Sequence, residues 1–384
     1  MSDSGWPRRR AGPGRPAAPA RGKAFLVAVV AMFGVFAGVA RAQPSPLLAD
    51  LPAALQEKVA KSVDASLQSR SVAPDRSAND LGWDCLAATE LGAAGDARAE
   101  ARLRLIVAEL QRDLLASTQG KPMGWKASVT DAKRCPAGGY DAFGDGSCNP
   151  PDTAYAFQTG LGIACLARAA GPLRDPRLLT SARQVLSSWE ALAMPKAPCR
   201  DCLYFPTSSH ANDAGRYVRN MNVFMAFGAA SLGAAGDASA QRVAQRALAS
   251  ELVEQGRGNK GYLGVLDPQW IKSRTEADRI ENHAASIAVL ARQTAALTGD
   301  AEIRRHALAV WQDWAFCSND RCRSATCSYW AADPARCQAT QTAAHCAFRQ
   351  DDARARELCL QFLGRVEGVG SFGIWAVGVG AARR

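Results

Sequence analysis

The 384-residue sequence lacks the short motifs that mark the commonest cofactor chemistries. It has no GxSxG elbow, no Walker phosphate loop, no GxGxxG preceded by a strand and no HExxH. Those absences argue against nucleotide, flavin and zincin chemistry, and no cofactor is expected. Cys199-Arg-Asp-Cys202 has no second CxxC to complete a zinc site and no surrounding βαβ pattern for a redox role. Histidine is scarce, at four residues. No run alternates with the period of a strand. Charged residues make up 21% and no long polar tract occurs, which excludes wholesale disorder. The net charge of +10 also lacks a stripe to sit on. Seven of its basic residues lie in residues 1–42, and removing that segment leaves 39 basic against 35 acidic side chains, scattered along the chain. Nucleic acid is therefore not an expected partner.

What is present begins with an address. Residues 24–40 form an uncharged apolar run ending in Ala40-Arg41-Ala42, the small-x-small pattern of a secretory cleavage site. Residues 1–42 read as a signal peptide and 43–384 as a single mature domain, periplasmic or secreted and free of the membrane once cleaved. An uncleaved anchor is the alternative. All twelve cysteines lie in the mature part, an even number, as disulfides in an oxidising compartment require. The expected bridges are Cys135–Cys148, Cys199–Cys202 and three among Cys317, Cys322, Cys327, Cys337, Cys346 and Cys359, the Cys-rich region 317–359. His345 beside Cys346 would suit a metal cluster, but three disulfides are the preferred reading and no metal is expected. Cys85 and Cys165 sit in apolar helical runs and read as free buried thiols.

The body of the chain repeats one grammar. Leu91–Asp96, Ala169–Asp175, Leu232–Asp237 and Ala296–Asp300 each place Gly and then Asp between two helical runs, and Gln350-Asp-Asp352 is a degenerate fifth. Gly stops one helix in a left-handed cap and Asp caps the next. The helix before each turn is apolar nearly all round: residues 220–236 carry no charge, and 153–170 and 282–299 carry one each, Arg168 and Arg292. The helix after the turn is amphipathic. One buried and one half-exposed helix per hairpin means two concentric layers. Residues 45–70 add an amphipathic helix and the Gly-rich tail 364–384 closes the chain.

Polar residues gather where the apolar helices start: Asp152, Tyr155 and Gln158; Tyr217, Arg219, Asn220 and Asn222; Glu281, Asn282 and His283. On this grammar the sequence resembles the (α/α) toroids, barrels of helical hairpins found among polysaccharide lyases, glycoside hydrolases and sugar epimerases. The resemblance implies an all-α (α/α) toroid of about five to six hairpins, disulfide-bonded, whose inner helices all run one way and bring those starts to one rim. It also implies a poly- or oligosaccharide ligand, uronate-containing in the preferred version, handled by a lyase, hydrolase or epimerase. A non-catalytic glycan-binding or assembly scaffold is the alternative. The catalytic candidates are Tyr217, Glu281, His283 and Asp152, with Tyr217 or His283 as base. Asp152 and Glu281 are the carboxylates of an inverting hydrolase, which stand roughly 6.5–9.5 Å apart. The substrate-binding candidates are Tyr155, Gln158, Arg219, Asn220, Asn222 and Asn282, joined by Tyr262 and Trp270, whose rings could stack on a sugar. His306, following Arg304 and Arg305 on an outer helix, reads as solvated. The oligomeric state is left open.

Overall fold

A computed structural model describes residues 48–68, 78–114, 123–127, 135–143, 146–194, 201–256, 282–316 and 334–381. Twelve α-helices run through them: α1 (Ala53–Gln68), α2 (Ala78–Ala93), α3 (Arg98–Arg112), α4 (Ala156–Leu173), α5 (Arg177–Glu190), α6 (Arg219–Ala234), α7 (Ala238–Gly256), α8 (Asn282–Thr298), α9 (Ala301–Ala315), α10 (Pro334–Ala347), α11 (Ala353–Arg365) and α12 (Gly370–Ala381). Among the described residues there is no strand. Extended segments meet only at isolated bridges, such as Tyr155 with Ser208 and Met194 with Tyr204.

The even-numbered helices are the apolar ones, and each packs on the next: α2 on α4, α4 on α6, α6 on α8, α8 on α10, α10 on α12, and α12 back on α2. That is a closed inner ring. The odd-numbered helices lie outside it and bury one face, as α5 does with Leu178, Ala182, Val185, Leu186 and Trp189. Five hairpins are continuous in sequence. The sixth pairs α12 with α1 from the opposite end of the chain. Lys58 on α1 locks that join by donating to the carbonyls of Leu363, Gly364 and Val366 at 2.7–3.0 Å. Residues 44–384 form one compact unit. The fold is thus an (α/α) toroid.

Sequence chemistry accounts for the joints. Gly95, Gly236 and Gly299 take φ of 92°, 107° and 72°, left-handed values that cost glycine little. The second turn departs from this pattern. Gly171 stays inside α4, Pro172 extends the last turn, and Arg174 takes the left-handed position at φ 53°. In all five turns the aspartate accepts from the following helix: Asp96 from Arg98 N–H, Asp175 from Arg177, Asp237 from Ala240, Asp300 from Ile303, and Asp352 from Arg354 and Ala355. Small residues bring the inner helices together. A Cβ on Gly160 would stand 2.3 Å from the carbonyl oxygen of Phe224, and one on Gly228 would stand 2.6 Å from that of Gly160.

Disulfides tie loop, inner ring and outer layer. Cys135–Cys148 closes a loop and Cys346–Cys359 ties α10 to α11. Cys202 and Cys337 are also disulfide-bonded. The reading of Cys85 and Cys165 as free thiols is corrected: they form a fully buried bridge between α2 and α4. Their apolar surroundings suited a free thiol equally well, and only the register of two ring neighbours brings the sulfurs together. No described helix is long and apolar enough to cross a membrane. The signal-peptide segment lies outside the described residues, as do Cys199, Cys317, Cys322 and Cys327.

Candidate functional site

The hairpin turns lie at one end of the ring, so the N-termini of the inner helices open at the other. There the first two turns of four inner helices present apolar side chains: Trp83 on α2, Phe157 on α4, Met221 on α6 and Phe372 on α12, all partly exposed. Phe224, Phe227 and Trp375 lie buried among them. The rings form a continuous sheet of contacts across the ring of helices. Trp83 meets Phe372 at 4.4 Å between centroids, Trp375 at 5.3 Å and Phe224 at 5.8 Å, and Phe157 meets Phe224 edge-on at 4.1 Å. Among the described residues the rings therefore fill the space between the starts of α2, α4, α6 and α12, and their partly exposed members form an aromatic surface at this N-terminal mouth. Offset and edge-on contacts of this kind stabilise by about 0.5–1.5 kcal/mol each beyond area burial.

Beside the mouth, α2 and α12 share a polar contact. Asp84 forms an ion pair with Arg102 of α3 at 3.1 Å, both side chains almost fully buried, and accepts a hydrogen bond from the hydroxyl of Ser371. A buried carboxylate of this kind is tolerable because both of its oxygens are engaged.

The polar residues singled out in the sequence fall into several settings. Tyr155 is the N-cap residue of α4 and is 2% exposed. Its hydroxyl donates to the carbonyl of Tyr140 at 3.3 Å and accepts from the Asn149 amide at 3.0 Å. The same amide donates to Asp213 at 2.8 Å, and Ser208 donates to that carboxylate at 2.5 Å. Burial raises the Asp213 carboxyl above its ordinary range, outweighing Ser208, Asn149 and the nearby Arg216 and His210. Burial likewise pushes the Tyr155 phenol upward, so it holds its proton. This network staples the 135–149 loop and the 201–218 segment to the start of α4.

Arg219 opens α6 but is paired with Glu251 of α7, which also bonds His306 of α9 at 3.2 Å. Burial alone would raise the Glu251 pKa, but Arg219 and His306 outweigh it and hold the carboxyl well below its usual range. His306 is 6% exposed. The expectation that it is solvated is corrected, because the outer helix turns this residue inward onto Glu251. Asn222 accepts from the backbone N–H of Phe205 at 2.9 Å and donates to Ser250 at 2.8 Å, tying the 203–205 backbone to α7. Tyr217 stacks edge-on against Tyr204 at 4.5 Å in a separate small cluster with Cys202. Gln158 and Asn220 are buried on α4 and α6. Asp152 is exposed, four residues ahead of α4.

Asn282 and His283 are the first two residues of α8, which places them on the rim by position; their side chains lie outside the description. Glu281, Tyr262 and Trp270 lie outside it altogether. The expectation of one shared cavity is thus not met for the described members. Tyr155, Arg219 and Asn222 enter distinct packed networks, because each is tied to a different neighbouring element: the 201–218 segment, Glu251 of α7 and Ser250 of α7 with the 203–205 backbone. Sequence reasoning passed over Trp83, Phe157, Ser371 and Phe372. The available signal was an aromatic residue within the first two turns of α2, α4, α6 and α12.

No protein-family model and no curated protein matches the sequence. Solved structures do resemble the fold. A sugar epimerase from a ruminal bacterium superposes with a TM-score of 0.51 at 10% identity, covering 79% of this chain and 87% of the epimerase. Cellobiose 2-epimerase from Bacillus thermoamylovorans does so with a TM-score of 0.51 at 10% identity, covering 75% of each chain. At that identity the likeness extends to the (α/α) toroid fold.

Proposed function

We propose that this chain is an exported carbohydrate-active protein that binds a saccharide at the N-terminal mouth of its toroid and acts on it as an epimerase or lyase. The observation that carries this reading is the partly exposed aromatic surface of Trp83, Phe157 and Phe372. The C–H face of a pyranose is apolar and matches an aromatic face, while its hydroxyl edge needs polar neighbours such as those beside the mouth. Solved structures of this fold that are named as sugar epimerases support the same ligand class. Epimerases and lyases both begin by removing a proton next to an electron-withdrawing group. His283, the second residue of α8, is assigned as the base, and Glu281, two residues before it in sequence, as the acid. A hydrolase pairing Asp152 with Glu281 is less well supported, since Asp152 stands in an exposed turn before its helix. Disulfides and the apolar segment 24–42 support export.

A second reading, saccharide binding without turnover, has its own support: Arg219, Asn222 and Tyr155 are already committed to packed networks. One assay separates the two. The mature protein is incubated with reducing disaccharides, cellobiose among them, and with uronate polymers. Epimers are read by NMR and unsaturated products by new ultraviolet absorbance. Turnover by the wild type and its loss in His283→Ala, with binding kept, supports the enzyme. Binding without turnover supports the scaffold, and absence of binding to any saccharide rejects both.

A further inference from the structure

Where α2 and α12 meet at the mouth they touch through two adjacent pairs. Trp83 packs on Phe372 at 4.4 Å, and the next residue on α2, Asp84, accepts from the residue before Phe372, Ser371. Consecutive Cα atoms are about 3.8 Å apart, so Ser371 is the immediate neighbour on α12 of the Trp83–Phe372 pair on which a sugar ring would rest. Ser371 is partly exposed, whereas Asp84 and Arg102 behind it are 4% and 3% exposed.

The chemistry of the three groups fixes what Ser371 can offer. Asp84, ion-paired with Arg102, is a carboxylate and can only accept hydrogen bonds. The single hydroxyl proton of Ser371 is therefore committed to Asp84, and toward any further partner the oxygen can only accept. Arg102 cannot reverse this, because its guanidinium donates and is itself buried against Asp84. An acceptor held in place this way suits a hydroxyl donor and opposes another acceptor.

We infer that Ser371 is a specificity-determining contact that reads a sugar hydroxyl, and that the mouth selects a neutral saccharide over a uronate, which narrows the proposed chemistry to the epimerase. This rests on the reading of the mouth as a saccharide site. A neutral pyranose supplies hydroxyl donors around its whole edge. A uronate carboxylate in the same place would bring lone pairs against lone pairs, with the Asp84 carboxylate behind them. A site that hydrogen-bonds a substrate hydroxyl discriminates more sharply than one built from apolar contacts alone.

The test uses the mature, oxidised protein and titration calorimetry with cellobiose, a panel of other neutral disaccharides, and digalacturonate. At least one neutral disaccharide should bind ten times or more as tightly as digalacturonate. Ser371→Ala should weaken that neutral sugar about three- to tenfold, the worth of one hydrogen bond, and should narrow the neutral-to-uronate ratio. Ser371→Thr, which keeps the hydroxyl, should retain both. Trp83→Ala should abolish binding of either sugar. Unchanged affinity and selectivity in a folded Ser371→Ala, with binding lost in Trp83→Ala, overturns the inference and leaves the saccharide site standing. So does tighter binding of digalacturonate than of every neutral sugar. If no saccharide binds the wild type, the underlying reading fails and the inference with it.

Discussion

His345 shows how a single residue couples this fold to pH. It is 4% exposed on α10, among the rings of Trp314 at 5.2 Å, Phe362 at 4.9 Å and Trp311 at 5.9 Å. Burial lowers its pKa from 6.5 to about 4. The folded state therefore holds a neutral imidazole where the unfolded chain takes up a proton. Stability is full above pH 6.5 and declines as the pH falls toward 4, by about 3 kcal/mol in total. Denaturant melts across that range should show the decline, and His345→Phe should flatten it while leaving stability at pH 8 nearly unchanged. Glu251 works in a lower window. Its carboxyl is depressed, so its contribution is present above the unfolded pKa of 4.5 and disappears as pH falls through the lower folded value. Arg219→Met leaves that carboxylate buried beside His306 without its guanidinium, which should cost about 3–5 kcal/mol by urea unfolding. A loss under 1 kcal/mol would mean that the pair is not buried in solution. Arg219 was visible in the sequence as a cation at an apolar helix start. Its partner, 32 residues on, was not, because nothing local relates α6 to the far end of α7.

Two glycines of α4 carry opposite expectations within one helix. Gly160→Ala drives a Cβ into the backbone of Phe224 and should cost about 2–3 kcal/mol or more by forcing α4 and α6 apart. Gly171→Ala meets nothing within 4 Å and should stabilise by up to about 1 kcal/mol through helix propensity. Thermal melts of the two variants give the comparison, and equal shifts would contradict the close ring packing. The sequence made the helices legible through uncharged runs, Gly stops and Asp caps, which are local physics. It could not separate Gly160 from Gly171, since both are small residues in an apolar helix and only a neighbouring backbone tells them apart.

Ring closure and covalent cross-linking belong to the whole molecule. Cys85–Cys165 spans 80 residues and joins adjacent inner helices. In the chain-entropy model a loop of that size stabilises by about 4–5 kcal/mol. The Cys85→Ala, Cys165→Ala double variant should lose stability of that order in denaturant. Because the bridge is fully buried, the native protein should resist mild reductant until it unfolds. Thiol titration with and without denaturant reads both. On the proposed export, mass spectrometry of the processed protein should find Gln43 as the first residue, and an intact Met1 in the membrane fraction would mean an anchor instead.

Hairpin grammar, two-layer helix asymmetry, the Asp caps and the Cys135–Cys148 loop followed from residues close in sequence, where periodicity, capping and short loop closure act. The sequence alone therefore determined an all-α chain of repeated hairpins. Tertiary structure decided everything that depends on which helix faces which. It packed α12 on α2 to close the ring, paired α1 with α12 as the sixth hairpin, joined Cys85 to Cys165, and turned His306 inward onto Glu251. It also tied Tyr155, Arg219 and Asn222 into contacts between elements and gathered Trp83, Phe157, Ser371 and Phe372 around the starts of α2, α4 and α12. Trp83, Phe157 and the Ser371-Phe372 pair are far apart in sequence and come together only because the inner helices that carry them start at one mouth, a relation set by packing around a closed ring.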